Sequence, residues 1–212
     1  MDENAVIEAR YAAIGEGEYI LAHSEWARTN PISINRYWSG DPAPPSRHAE
    51  GRMLWSEEWL AIRFVCNQTG PLLVSSDPQV QQKTIGLWHR DVCEIFLAPD
   101  PQQPNRYFEF EAAPTGEWVD LAIELTPTGR VTDFKFQSGV TVDTRVADNQ
   151  LVIGVVIPWS HSIAKPEAGD RWRCNLFRCV GRGNERYLAW QPTYTKEPNF
   201  HVPEAFGELR FR

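Results

Sequence analysis

Between residues 87 and 98 the chain reads LWHRDVCEIFLA, an apolar run that carries Trp88 and then two acids, Asp91 and Glu94. A buried strand rarely holds a carboxylate at its centre, because an unpaired buried charge is costly. Either this run lies at a half-solvated edge, with Trp88 over the rim of a core and Glu94 in water, or these side chains meet something polar. Other acids offer a second chemistry. Glu109, Glu111, Asp120 and Glu124 could supply two carboxylates on one sheet face, and glycoside hydrolysis needs such a pair at ~5–10 Å. Acids on outward strand positions are also what any solvated sheet displays, and no pair stands out from that background.

Metal chemistry has weaker support. The histidines at 23, 48, 89, 161 and 201 are scattered, with no HxxxH or HExxH spacing, so zinc is not indicated. Asp91, Asp100, Asp120 and Asp133 are calcium ligands by type only, with no EF-hand loop around them. Cys66 and Cys93 sit in apolar runs. Cys174 and Cys179 are five apart on one candidate strand and so face opposite sides. With no CxxC spacing, the cysteines read as small buried hydrophobes kept reduced. A GxSxG nucleophile and a dinucleotide fingerprint are absent, and the GRG at 181–183 lacks the helix and lysine of a phosphate loop.

These residues must be positioned by strands. In EWVDLAIEL, Val119, Leu121, Ile123 and Leu125 share one face, with Trp118, Asp120 and Glu124 on the other. RYFEFEAAP separates Phe108 and Phe110 from Tyr107, Glu109 and Glu111. LVIGVVIPW alternates and stops at Pro158, and WLAIRFVCN is apolar on both faces, as a central strand should be. RWRCNLFRCVGRGNERYLAWQP reads as a hairpin about GRGN. DPAPPS, NQTGP, APDPQQPN and PTG break the chain at intervals typical of antiparallel β domains. Helical periodicity is weak, with one short helix expected in NAVIEARYAAI. The fold expected is all-β: a single-domain, antiparallel, two-sheet β-sandwich of immunoglobulin-like or DOMON-like type over residues 1–212.

The chain has 212 residues and a formal charge of −7. That charge argues against nucleic acid, whose phosphates need a basic footprint. Nothing approaches the ~20 consecutive apolar residues of a membrane helix. The start, MDENAVIEARYAAIGEGEY, has acids where a signal peptide needs basic residues. A cytoplasmic chain is therefore expected as the sequence stands, or one whose export signal has been removed. The nine tryptophans suit a core, an interface or the flat walls of a ligand site; Trp118, Trp159 and Trp172 are assigned to packing. At the C-terminus, YLAWQPTYTKEPNFHVPEAFGELRF strings aromatic residues through a proline-punctuated loop, a kind of segment that is functional or caps a core.

Taken in order, W(x)2DVCEIFLAP, YFEFEAAPTG, WRCNLFRC, YLAWQP and FHVPEAFGELRF resemble the carbohydrate-binding module family 9-like domains, from about Trp59 to the C-terminus, with the first ~50 residues only loosely matched. The resemblance implies a β-sandwich related to DOMON domains and non-catalytic binding of a saccharide. Xylanase modules of the family hold the reducing end of a polysaccharide chain, such as xylan or cellulose, between two aromatic side chains ringed by polar groups. It implies Trp88 as the first aromatic wall and Glu94 as the acid accepting sugar hydroxyls. Phe200 stands near the place of the second wall, with Trp190, Tyr194 and His201 close by. Asn175 matches a family asparagine that binds sugar or braces the sheet. Glu109 stands where the family has a sugar-binding arginine. No cofactor is required, and calcium in this family is structural.

Physically, a pyranose offers a C–H face for an aromatic ring and a rim of hydroxyls, each hydrogen bond netting ~1 kcal/mol, or up to ~3 with a charged partner. Three rivals stay open beside this reading. One is a glycoside hydrolase using the strand carboxylates. Another is a haem or redox domain, for which only Met1 and Met53 could serve as methionine ligands. The third is a fold whose sugar site has decayed and which serves protein contacts. The oligomeric state has no signature in the sequence.

Overall fold

The computed structural model describes residues 5–14, 20–147 and 149–212. The period-two segments become β1 (Val6–Tyr11), β2 (Ile32–Ile34), β3 (Arg36–Tyr37), β4 (Ala49–Trp55), β5 (Trp59–Asn67), β6 (Val92–Ala98) and β7 (Arg106–Ala112). They continue as β8 (Trp118–Thr126), β9 (Gly129–Asp133), β10 (Thr141–Ala147), β11 (Gln150–Pro158), β12 (Arg171–Cys179), β13 (Tyr187–Ala189) and β14 (Gly207–Phe211). Between them lie only short 3-10 turns, and no helix among the described residues is long and apolar enough to cross a membrane.

One layer runs β10-β11-β5-β4, with β2 beside β4; the other runs β14-β12-β6-β7-β8-β9, with β13 joining β12 to β3. The inner faces meet in one core built from Ile62, Phe64, Ile153 and Val155 of the first layer and Ile95, Leu97, Phe110 and Leu176 of the second. Trp159, Trp172 and Phe211 close one end with edge-on ring contacts. The result is a β-sandwich. All four cysteines are buried and free, and the Cys66 and Cys93 sulfurs lie 3.5 Å apart across the two layers.

The short helix expected in NAVIEARYAAI is instead β1; Asn4, its first residue, lies outside the described residues. The alternation is of period two, with Ile7 and Ala9 buried and Glu8 exposed. Val6–Ala9 pair in parallel with Glu208–Phe211, and Arg10–Tyr11 pair in parallel with Leu54–Trp55. One strand therefore links both layers, and these two pairings are parallel where antiparallel ones were expected. Two open sheet edges offer hydrogen-bond partners that outweigh a weak local helical preference.

The second layer has a further apolar face, turned away from the sandwich core. Phe96, Tyr107, Val119, Leu121, Ile123 and Phe177 project there and are covered by Phe200 and Phe206 from the C-terminal loop. Phe96 stacks on Tyr107 at 5.5 Å and meets Phe177 edge-on at 5.0 Å. For this reason every residue of β6 is buried, although only one of its faces lines the core between the sheets.

Candidate functional site

The unusual acids lie on that outer face. In the antiparallel register of β6 and β7, Glu94 is opposite Glu111 and Phe96 is opposite Glu109. Directly opposite side chains on one face sit ~5 Å apart and diagonal ones ~7–8 Å, so carboxylates at these three positions must converge. Ligand oxygens of Glu94, Glu109 and Glu111 lie within 4.8 Å of one another, and their residues are only 3%, 4% and 2% exposed. This corrects the expectation that these acids lie on solvated strand faces. Asp120 projects from the other side of the sheet, buried and ion-paired to Lys83 at 2.8 Å, while Glu124 pairs with Arg106 at the surface. The four acids considered as a hydrolytic set are thus split between two faces, and Glu109 and Glu111 sit side by side rather than across a ligand.

Burial disfavours ionisation here. It pushes the Glu94 carboxyl up from 4.5 to about 8, with the charge of Glu109 adding to the effect. Burial also raises Glu109, and it raises Glu111 well above the carboxylate range, with Glu94 and Glu109 contributing. Glu94 accepts from the Cys179 thiol at 3.2 Å, and the buried Glu111 carboxyl, which burial keeps protonated, shares a side-chain hydrogen bond with Glu109. Among the described residues, the only ion-pair contact to the three is His201 Nε2, at 3.9 Å from Glu109 Oε2. Burial and Arg130 hold His201 neutral, down at about 3. Tyr107 Oη and His201 Nδ1 are 2.8 Å apart. A tyrosine hydroxyl donating there leaves the imidazole proton on Nε2, facing Glu109.

Above these carboxylates opens a cleft of ≈ 300 Å³, at the small end of ligand-pocket sizes. Glu94, Glu109 and Phe96 form part of its floor, Trp88 and Tyr187 line it beside Phe200 and His201, and Arg130 and Phe134 come from the β9 hairpin. Five of the eight residues singled out in the sequence thus converge: Trp88, Glu94, Glu109, Phe200 and His201. Phe200 is held by a parallel stack on Phe177 at 3.9 Å and an edge contact to Tyr187. It presents little free face, being 8% exposed.

The other three do not line the cleft. Asn175 is fully buried; its amide donates to the Gln191 carbonyl and its oxygen accepts from the Gln191 and Leu176 N–H groups. It braces the sheet. Trp190 packs into the inter-sheet core, its ring occupying the space a Cβ on Gly207 would need. Tyr194 is 72% exposed, with its ring against Gly40. Residues the sequence reading missed are Tyr187, Arg130 and Phe134. Tyr187 opened a motif already singled out, YLAWQP, whereas Arg130 and Phe134 belong to a polar hairpin with no apolar signal.

The opening acid Asp91 has a different role from Glu94. Its oxygens accept from the Leu73 and Gly181 N–H groups at 3.0 and 2.7 Å, tying two loops together. Next to it, the turn Leu87–His89 that presents Trp88 follows Gly86, whose φ of 87° suits glycine. That turn is anchored by buried Arg186, which donates to the carbonyls of His89 and Arg90, and by Arg90, which pairs with buried Glu117 at 3.0 Å. Lys83 donates to the Phe134 and Phe136 carbonyls and so fixes the segment carrying Phe134.

The aspartates named as calcium ligands by type are spent separately. Asp91 and Asp120 are engaged as described, and Asp100 and Asp133 accept from Gln102 and Lys135 N–H groups in local turns. Only Glu94, Glu109 and Glu111 form a three-residue ligand cluster among the described residues. With one ligand atom from each, they offer three of the six to eight oxygens calcium takes.

Against known families, a model described as carbohydrate family 9 binding domain-like matches residues 21–212, beginning well before Trp59, where the resemblance was placed to start. A solved Bacteroides uniformis protein is similar in fold, with a TM-score of 0.75 at 16% identity over 98% of this chain and 99% of that one. A carbohydrate binding module family 9 from Caldicellulosiruptor kristjanssonii, solved in complex with cellotriose, aligns with a TM-score of 0.67 at 15% identity, covering 98% of this chain and 93% of that one. The same module was solved with glucose, at the same TM-score and identity, with 95% of that chain covered. No curated protein matches the sequence.

Proposed function

The chain belongs to the carbohydrate family 9 binding domain-like family, and from that premise we propose that it binds a saccharide, without turnover, in the cleft between Trp88 and Tyr187. The observation that carries this is the convergence of an aromatic wall and buried carboxylates on one small cleft. Trp88, half-buried on its turn, offers an indole face to the C–H side of a pyranose. Glu94 and Glu109 below it, with Arg130 and Asn199 around the edge, supply acceptors and donors for hydroxyls. Carboxyls that carry a proton can donate as well as accept, which widens the hydroxyl patterns the floor can meet. The size of the cleft suits one sugar unit, hence a monosaccharide or the end of a chain. Side chains alone make the site in this reading, so binding needs no cofactor or metal.

The cellotriose and glucose complexes of the Caldicellulosiruptor module support the ligand class for the family's fold. The test is a titration of the protein with mono- and oligosaccharides, read by tryptophan fluorescence, on the parent chain and on Trp88→Ala. Binding by the parent at millimolar concentration or below, lost in Trp88→Ala while the fold persists, is the expected outcome. A Trp88→Ala protein that binds as tightly as the parent would place the ligand elsewhere.

A further inference from the structure

Away from the cleft, the sandwich core holds two thiols that face each other across its layers. Cys66 lies on β5 in the first layer and Cys93 on β6 in the second; they are 27 residues apart in the chain, with their sulfurs 3.5 Å apart. Both are enclosed, Cys66 at 0% and Cys93 at 1% exposure. Their neighbours within each sheet are small. Ala49 stands opposite Cys66 and Ala112 opposite Cys93, and both alanines belong to the same inter-sheet core. Small side chains on both sides suit a close approach of the two layers at this point.

A buried cation holds the pair in place. Arg178 is directly opposite Cys93 in the register of β12 and β6, which sets the two side chains ~5 Å apart on one face. Its guanidinium crosses to the first layer and donates to the carbonyls of Arg47, His48 and Asn67 and to Gln68 Oε1. Asn67 directly follows Cys66, so these bonds clamp the layers beside the two sulfurs. All of these partners are neutral, although Arg178 is only 2% exposed, and a cation so placed favours a thiolate. The hydrogen bond from Cys93 lowers the Cys66 thiol, against burial and with help from Arg178, while burial pushes Cys93 up.

We propose that Cys66 and Cys93 are a modification site, closing into a disulfide that ties the two layers together when the chain folds in the presence of a small disulfide oxidant. A disulfide sets its sulfurs at ~2.05 Å, so each has less than ~1 Å to travel. One thiolate of the pair attacks the oxidant before the layers close on it, forming a mixed disulfide and expelling one small thiolate. The second protein thiol then loses its proton and attacks the first sulfur, expelling the other half of the oxidant. Two S–H bonds of the protein break and one S–S bond forms; the S–S bond of the oxidant is reduced to two thiols, which take up the two protons. Cys179 does not compete, since its thiol is turned to the outer face and spent on Glu94. Cys93 directly precedes Glu94, so the bridge fastens the strand that carries the cleft floor to the opposite layer.

The experiment unfolds the full chain in urea and refolds it either in a mixture of oxidised and reduced glutathione or in dithiothreitol. Both products are alkylated under denaturing conditions, weighed as intact protein and mapped by proteolysis. The glutathione product is expected to carry two alkylated cysteines where the dithiothreitol product carries all four, with Cys66 and Cys93 joined in one cross-linked peptide. It should also unfold at a higher urea concentration, because the bridge constrains 27 residues of unfolded chain. Cys66→Ser and Cys93→Ser should each abolish the cross-link and the difference between the two products, whereas Cys174→Ala and Cys179→Ala should keep both. Four alkylated cysteines in the folded glutathione product, a stable glutathione adduct in place of the bridge, a bridge between other cysteines, or a bridge that lowers the urea midpoint overturns the inference. Should a serine variant fail to fold, the peptide map of the parent chain still decides.

Discussion

Replacing Glu94 by glutamine changes how the stability of the protein depends on pH, in a direction that the structure fixes. Glu94 is 3% exposed, and its carboxyl is pushed from 4.5 up to about 8, first by burial and then by Glu109. Below pH 4.5 the folded and unfolded chains both carry the proton. Between 4.5 and 8 the unfolded chain has released it and the folded chain still holds it. The folded state therefore binds more protons in this window, and stability is lost as pH rises through it. At about 1.4 kcal/mol for each pH unit, a carboxyl held this far up accounts for ~3–5 kcal/mol, the lower figure allowing for protons shared with Glu109 and Glu111. Glutamine has no charge to lose, so in Glu94→Gln this part of the slope should vanish. Urea unfolding at a series of pH values, followed by tryptophan fluorescence, measures both proteins. At pH 5 the variant should match the parent or fall slightly below it. By about pH 8.5 it should have gained several kcal/mol relative to the parent, with an unchanged denaturant slope. Parallel curves for the two proteins across pH 5–8.5 would refute the argument that Glu94 is buried as an uncompensated carboxyl.

On the acid side the controlling group is His201, held neutral at about 3 by burial and Arg130. Its contribution is intact above the unfolded histidine value of ~6.5 and lost as pH falls toward 3, so His201→Gln should flatten the acid limb of the stability curve by ~2–4 kcal/mol while leaving the alkaline limb in place. Asp91→Ala removes the acceptor for the buried ends of two loops. At ~1–3 kcal/mol for each orphaned donor it should cost ~2–4 kcal/mol in a urea melt, and a loss below 1 kcal/mol would contradict the structural role given to it.

The sequence by itself determined the class of fold and drew attention to Trp88 and Glu94, two of the residues that line the cleft. Period-two alternation is a local property, since successive side chains of a strand point to opposite faces wherever the strand is placed. EWVDLAIEL, RYFEFEAAP and LVIGVVIPW therefore announced their strands, and the breakers between them announced the turns. Trp88 and Glu94 were visible because an indole and an acid are out of keeping with an apolar run. What the alternation does not encode is which face turns inward. In β8 the apolar row Val119, Leu121 and Ile123 packs not in the sandwich core but on the outer face, beneath the loops.

That choice rests on tertiary structure, and it decided the chemistry of the site. Glu109 and Glu111 read as solvated acids until the register of β6 and β7 set them beside Glu94 and the C-terminal loop closed over them. Asn175, Trp190 and Tyr194 had the right types near the right motifs, yet long-range packing spent them on Gln191, Gly207 and Gly40. Arg130 and Phe134 reached the cleft because β9 pairs with β8. The N-terminal segment became a strand because two sheet edges, separated by more than 150 residues in sequence, left room for one between them. Side-chain type and spacing are local, whereas burial and the partners that shift a carboxyl's proton affinity come from chain segments far apart. The strands could thus be read from the sequence, and the buried acid cluster could not.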